Sequence, residues 1–301
     1  MSFDNAYQSL AEDQGDESRW AYGTGFADPL SALDRAVPAG VDTADLVTYC
    51  LMLADDALIL SQRLSEWCSR APELEEDVAL ANIALDLLGQ ARLLLTRAGE
   101  VEGRGRDEDA LAYLRDEHEF RNVQLCEPPD GTVGPAGVGD FAFAIARLLV
   151  FSTWRLALFE RLERSADPVL SAVAAKGVKE LAYHRDHAAR WTVRLGDGTE
   201  LSHARMRAGL EAVWPFVDEL FSPHEVELRL AGVAVDPSSL REPVFEVLDT
   251  VLSAGTLERP TGRGLARVGG RAGRDGVHTE AMGFLLAELQ SVARAHPGAT
   301  W

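Results

Sequence analysis

The sequence predicts an all-α fold: a long four-helix bundle with a crossover connection and additional helices at its C-terminal end. Three observations carry that prediction. Apolar residues recur at alternating steps of four and three over long stretches, the stretches are separated by clusters of helix breakers, and no segment alternates with the period of a strand. With 301 residues and 47% hydrophobic content the chain can bury a core without disulfides or metal staples.

The first helix is expected from residue 43, where Leu46, Cys50, Leu53, Ala57, Leu60, Leu64 and Trp67 mark one face and Thr43 is placed to cap the start. Pro72 separates it from a second run, Leu74, Val78, Ala81, Leu85, Leu88 and Leu95, with Glu73, Glu75 and Glu76 beside the positive end of the helix dipole. Each of these helices should be about 38 Å long. A further helix is expected over 107–126, ended by the breaker-rich EPPDGTVGPAGVG. The third bundle helix runs from Asp140 to Ser165, with Ile145, Leu148, Leu149, Leu156, Phe159 and Leu162 facing inward, and Asp167-Pro168 opens the fourth, which ends near Leu195-Gly196-Asp197-Gly198. Two long helical pairs joined by a crossover is the wiring of a ferritin-like bundle. Helical segments follow over 202–221, broken at Pro215, then 223–230, 237–252 and 279–295, with Thr279 expected to cap the last.

Two regions break this pattern. Residues 1–42 hold eight acidic residues and two arginines among scattered glycines and prolines, and read as an acidic, disordered extension before a helical domain at 43–301. The stretch Arg259 to Arg274 carries five arginines within a glycine-rich loop; it reads as coil or a protein contact, with an anion site, such as one for the phosphates of CoA, as the alternative. No phosphate-binding glycine motif is completed there.

A net charge of −19 opposes binding to phosphate backbones, so no nucleic-acid partner is expected. Cys50, Cys68 and Cys126 form no disulfide framework or zinc motif and fit reduced core thiols in the cytoplasm. Neither a signal nor a transit peptide is visible. The apolar window Phe141 to Phe159 carries Arg147 and Arg155 within it, which favours a buried helix over a membrane span.

Candidate chemistry lies on helices two and four. Asn82, Asp86 and Gln90 form a polar row on an otherwise apolar helix, and Lys176, Glu180, His184 and His187 share one face of the other. A di-iron bundle takes one Glu from each of two helices and Glu-x-x-His from each of the other two. Here the corresponding stretches read Asp86-Leu87-Leu88-Gly89 and Glu180-Leu181-Ala182-Tyr183, so Gly89 and Tyr183 stand where imidazoles are required. For the single carboxylates, Asp55, Asp56 and Glu66 are available on helix one and Glu160 and Glu163 on helix three, none clearly placed. Two further readings stand beside a di-iron site: a mononuclear site using Glu180 with His184 or His187, and a metal-free bundle in which Lys176, Arg92 or Arg155 neutralises buried Asp86 or Glu180. His118 reads as a solvated side chain and His278 as structural, and no Gly-x-Ser-x-Gly elbow is present.

The segments SQRLSEWCSRAPELEEDVALANIALDLLGQAR, DEDALAYLRDEHEF, KELAYHRDHAARWTVRLGDGT, GVAVDPSSL and GVHTEAMGFLLAELQ, in this order from about residue 43 to Trp301, closely resemble the C-subunit family of the ring-1,2-phenylacetyl-CoA epoxidases, also called phenylacetate-CoA oxygenases. The resemblance implies a ferritin-like subunit of a multicomponent oxygenase. In such complexes the A subunit holds the di-iron centre and epoxidises the aromatic ring with O2 and electrons from NADPH, delivered by a flavin and iron-sulfur reductase. The C subunit has lost metal ligands and pairs with A as a structural partner. The resemblance therefore implies no catalytic, cofactor-binding or metal residues in this chain, degenerate di-iron positions at Asp86, Gly89, Glu180 and Tyr183, the A subunit and the other subunits including the reductase as partners, and no membrane. Helices one and two are the expected contact surfaces. The rival reading is a metal-binding oxygenase in its own right that uses Asp86, Glu180 and His184.

Overall fold

The computed structural model describes residues 33–130, 140–262, 264–265, 267–297 and 299. Most of the acidic extension, residues 1–32, and most of the breaker-rich stretch, residues 131–139, lie outside the described residues. Among the described residues the fold is all-α and ferritin-like, with no strand beyond an isolated bridge between Val268 and Arg271.

Four long helices build the bundle: α1 (Thr43–Ser65), α2 (Leu74–Glu102), α4 (Phe141–Leu162) and α5 (Pro168–Gly196), with the short α3 (Glu108–Tyr113) in the crossover. Three of the bundle helices start on an aspartate whose carboxylate accepts first-turn N–H groups: Asp42 for α1, Asp140 for α4 and Asp167 for α5, the last followed by Pro168. The cap of α1 is thus Asp42 rather than the expected Thr43. α1 packs along α2 and α4 along α5, and the two pairs meet chiefly through α2 and α5. α6 (Glu200–Val213) and α8 (Arg241–Ala254) cover the outer side of α4, and α7 (Glu225–Arg229) packs on α1. Gly177 permits the close approach of α5 to α4, since a Cβ there would lie 2.7 Å from the Phe159 ring.

α1 and α4 are inner helices with almost no solvent face. This corrects the expectation that helix one offers a partner surface. Two helices, Leu74–Glu102 and Phe141–Leu162, are long and apolar enough to cross a membrane, but the second is enclosed by its own chain, with Arg147 and Arg155 fully buried. Arg147 donates to Asp130 and Pro128. Cys50 and Cys126 are buried, whereas Cys68 is exposed and not a core thiol. The packed chain begins before residue 43: Val37 and Val41 lie against the core, Arg35 pairs with Glu100 at 2.9 Å, and Arg97 bridges the Arg35 carbonyl to the α5 cap Asp167.

The expected helix over 107–126 forms only as α3, followed by 3-10 turns at Glu117–Glu119 and Gln124–Cys126. Long-range ion pairs are the cause. Asp55 of α1 takes the Arg115 guanidinium and the Arg121 N–H (2.8 Å), and Asp56 takes the Val123 N–H (2.8 Å), so the backbone serves buried carboxylates instead of its own helix. The segment expected as a helix over 202–221 likewise changes at Pro215, becoming a 3-10 helix over Trp214–Phe221.

The arginine-rich loop is anchored rather than free at its C-terminal end. Arg274 is buried and holds Asp56 in a fork of 2.9 and 2.8 Å, while donating to the carbonyls of Met52 (2.9 Å) and Arg121 (2.8 Å). Arg259 stacks over Phe245 at 4.7 Å and pairs with Asp249 at 3.4 Å. Beyond the loop, α9 (Glu280–Ala295) begins at Thr279, whose side chain makes no capping bond; the Glu127 carboxylate accepts the Thr279 N–H at 2.6 Å and the His278 ring at 2.7 Å. His278 lies between the Glu127 carboxylate and the Phe120 carbonyl, and His118 is exposed.

Two outcomes follow from these anchors. Arg274→Ala strands the Asp56 carboxylate in the core and should lower unfolding stability in urea by about 3–5 kcal/mol. For His278, burial works against the charged ring, but the Glu127 hydrogen bond and charge outweigh it and raise its pKa above the ordinary value. This pair should stabilise the fold fully below a pH of about 6.5 and lose that contribution as pH rises through the raised folded-state pKa. His278→Gln should abolish that segment of the pH–stability curve.

Candidate functional site

The candidate site is the polar network in the middle of the bundle, to which all four long helices contribute. Its centre is Arg155 of α4, fully buried between the rings of Phe159 (4.5 Å) and Phe151 (5.6 Å). Its Nε donates to Gln90 Oε1 of α2 at 3.0 Å and its Nη2 to the Leu53 carbonyl of α1 at 3.1 Å, while Nη1 stands 3.9 Å from Asp56. Gln90 Nε2 in turn donates to Glu180 Oε2 of α5 at 3.0 Å, and Lys176 approaches the other Glu180 oxygen at 3.6 Å. Burial draws Arg155 down to about 10, with Asp56 opposing, so it remains cationic at neutral pH.

Further pairs close the α2–α5 seam. His184 is 1% exposed and its Nε2 lies 2.9 Å from Asp86 Oδ2 at the seam's rim. His187 Nε2 lies 3.2 Å from Glu76, and burial lowers the His187 pKa. Among the residues considered for neutralising carboxylates, Lys176 and Arg155 serve Glu180, directly and through Gln90, whereas Arg92 pairs with Glu108 at 3.3 Å.

The motif frame expected from the sequence is one residue out of register. Gly89 faces open space, with no atom within 4 Å of the place its Cβ would take, and Tyr183 is 54% exposed. The inward i, i+3 pairs are instead Leu87 with Gln90 and Leu181 with His184, all buried. One residue turns the side chain by about 100°, enough to move a position from the interior to the surface. In this frame Leu87 and Leu181 stand where the carboxylates are required, Gln90 stands where α2 needs an imidazole, and only His184 of α5 supplies one. The Asp86 and Glu180 carboxylates are drawn into the His184 and Gln90 contacts.

The single carboxylates fare no better. Asp55 and Asp56 are buried but committed to Arg115 and Arg274; Glu66 pairs with Arg63 at 2.7 Å; Glu160, Glu163 and Asn82 are exposed. Among the described residues no three His, Cys, Asp or Glu side chains converge as a metal cluster. A guanidinium at the point where the four helices converge repels a metal cation, so the residues present do not fit a di-iron centre. The sequence suggests Arg155 only as a counter-ion; the signal for its central place is its spacing of seven and four to the inward Leu148 and Phe159.

Residues 32–301 match the family described as phenylacetic acid catabolic protein. The chain belongs to that family. It is also 45% identical, over 258 residues that cover 85% of this chain and 99% of the relative, to the C subunit of the 1,2-phenylacetyl-CoA epoxidase of Escherichia coli (strain K12). In this member of the phenylacetic acid catabolic protein family the Arg155–Gln90–Glu180 chain should be structurally required. Arg155→Ala leaves Gln90 Oε1 and the Leu53 carbonyl without their donor and opens a cavity between Phe151 and Phe159, and should lower stability by about 3–5 kcal/mol in urea titration. The volume-matched pair Arg155→Met with Gln90→Leu should recover part of that loss.

Proposed function

We propose that this chain is the C subunit of a multicomponent 1,2-phenylacetyl-CoA epoxidase in aerobic phenylacetate catabolism. It is a non-catalytic structural subunit that pairs with and stabilises the di-iron catalytic A subunit. In this reading the iron, the O2 chemistry and the acyl-CoA site belong to the A subunit, and electrons reach it from the reductase. The complex works in the cytoplasm, without nucleic acid or membrane.

The observation that carries the reading is the buried Arg155 guanidinium, which joins α1, α2 and, through Gln90, α5. A fixed cation in that place supplies the charge that would otherwise come from metal, and it donates to the Leu53 carbonyl and the Gln90 amide oxygen directed inward. The likeness to the C subunit, over 85% of this chain and 99% of the relative, supports the same role.

Iron analysis of the separately purified chain tests this. The expected result is iron far below one equivalent, unchanged by Glu180→Ala, with iron appearing only when the A subunit is co-purified. Stoichiometric iron in the isolated chain, lost on Glu180→Ala, would establish the rival oxygenase that uses Asp86, Glu180 and His184.

A further inference from the structure

Outside the α2–α5 seam two exposed strips run side by side. On α2, Leu74, Val78 and Leu85 are 75%, 53% and 45% exposed and share one face with Asn82 and Gly89. On α5, Lys176, Lys179, Tyr183, Arg190 and Arg194 are all exposed along one face, with two acids among them, Asp186 paired to Arg190 at 3.0 Å and the partly buried Glu180 at 3.6 Å from Lys176. Tyr183 joins the strips: its ring lies against those of His184 and His187, whose own partners Asp86 and Glu76 belong to α2.

The charge of this face is opposite to that of the chain. Four cations against two acids, Glu180 and Asp186, on the α5 face stand out against a net charge of −19. Isolated apolar residues on a surface need no explanation, but three aligned on one helix face beside an aromatic and a cationic row have the composition of a contact surface. The open notch at Gly89 leaves room for another backbone to approach. A second copy fits poorly, because two-fold pairing of this face would set its cationic row against itself and join two chains of the same high charge.

We infer that the α2–α5 face is where the catalytic subunit docks, through an amphipathic helix whose apolar ridge lies along Leu74, Val78 and Leu85 and whose carboxylates meet the α5 cations. The inference rests on the subunit role proposed above. It assigns the surface to α2 with α5, whereas α1 is enclosed.

Binding of the full-length chain to the purified catalytic subunit tests it, with circular dichroism and thermal melting of each variant as the check on folding. Val78→Asp with Leu85→Asp should weaken binding by about tenfold or more. Lys179→Glu with Arg190→Glu should do the same and flatten the salt dependence of the wild-type affinity. Phe284→Asp, on the exposed apolar face of α9, should bind as wild type. A photo-crosslinker at Tyr183, Tyr183→p-benzoylphenylalanine, should capture the catalytic subunit. Unchanged binding by both α2–α5 variants overturns the assignment, as does a crosslink to a second copy or to residues 1–32 of the same chain. A wild-type chain that does not bind the catalytic subunit at all overturns the subunit role and this inference with it; loss of binding only in Phe284→Asp overturns this surface and leaves the role standing.

Discussion

A cation with no access to water sits where four helices converge, held through its Nε and Nη2 while its Nη1 has only the charge of Asp56 at 3.9 Å. Arg155 is held by an amide from α2, a carbonyl from α1 and two aromatic rings of its own helix. A buried charge without partners costs several kcal/mol, so these groups are fixed as a set. The set leaves Gln90 oriented with its amide nitrogen toward Glu180, which brings α5 into the same network. A bundle wired in this way trades the inward carboxylate and imidazole donors of a metal centre for a permanent organic charge.

The same logic extends outward through α1. Its adjacent aspartates divide the work: Asp55 gathers the crossover through Arg115 and the Arg121 N–H, and Asp56 gathers the C-terminal loop through Arg274. Both carboxylates are removed from solvent, and burial raises the Asp56 pKa while Arg274 opposes it. Because each pair joins segments far apart in sequence, α1 cannot be loosened without releasing the crossover and the last helix together. Desolvation offsets much of the attraction in such pairs, so removing one partner costs more, through the stranded charge, than the intact pair contributes.

Much of the scaffold is legible in the sequence. Bundle helices announce themselves by apolar spacing, and the Asp140 and Asp167-Pro168 boundaries by their capping chemistry, because both signals are local. The crossover is not legible: a helical pattern over 107–126 loses to carboxylates some sixty residues away on α1. The arginine-rich loop reads as coil or an anion site, since nothing local reveals that Arg274 pairs with a residue 218 positions earlier. The candidate site is half legible. Gln90, Glu180 and His184 do meet the interior network, but counting the motif from Asp86 turns the frame by one residue and places Gly89 and Tyr183 inward when they face out. Burial periodicity, anchored on Leu87 and Leu181, is the signal that sets the frame.

Membership of the phenylacetic acid catabolic protein family is compatible with either a metal-bearing or a metal-free bundle, so the chemistry rests on what occupies the centre. Crystals of the chain grown with excess ferrous iron, measured at the iron absorption edge, test that point most directly. The Arg155 guanidinium should be bonded to Gln90 and the Leu53 carbonyl, with no anomalous peak between α1, α2, α4 and α5. An anomalous peak among those helices, with Arg155 displaced from Gln90, would contradict this.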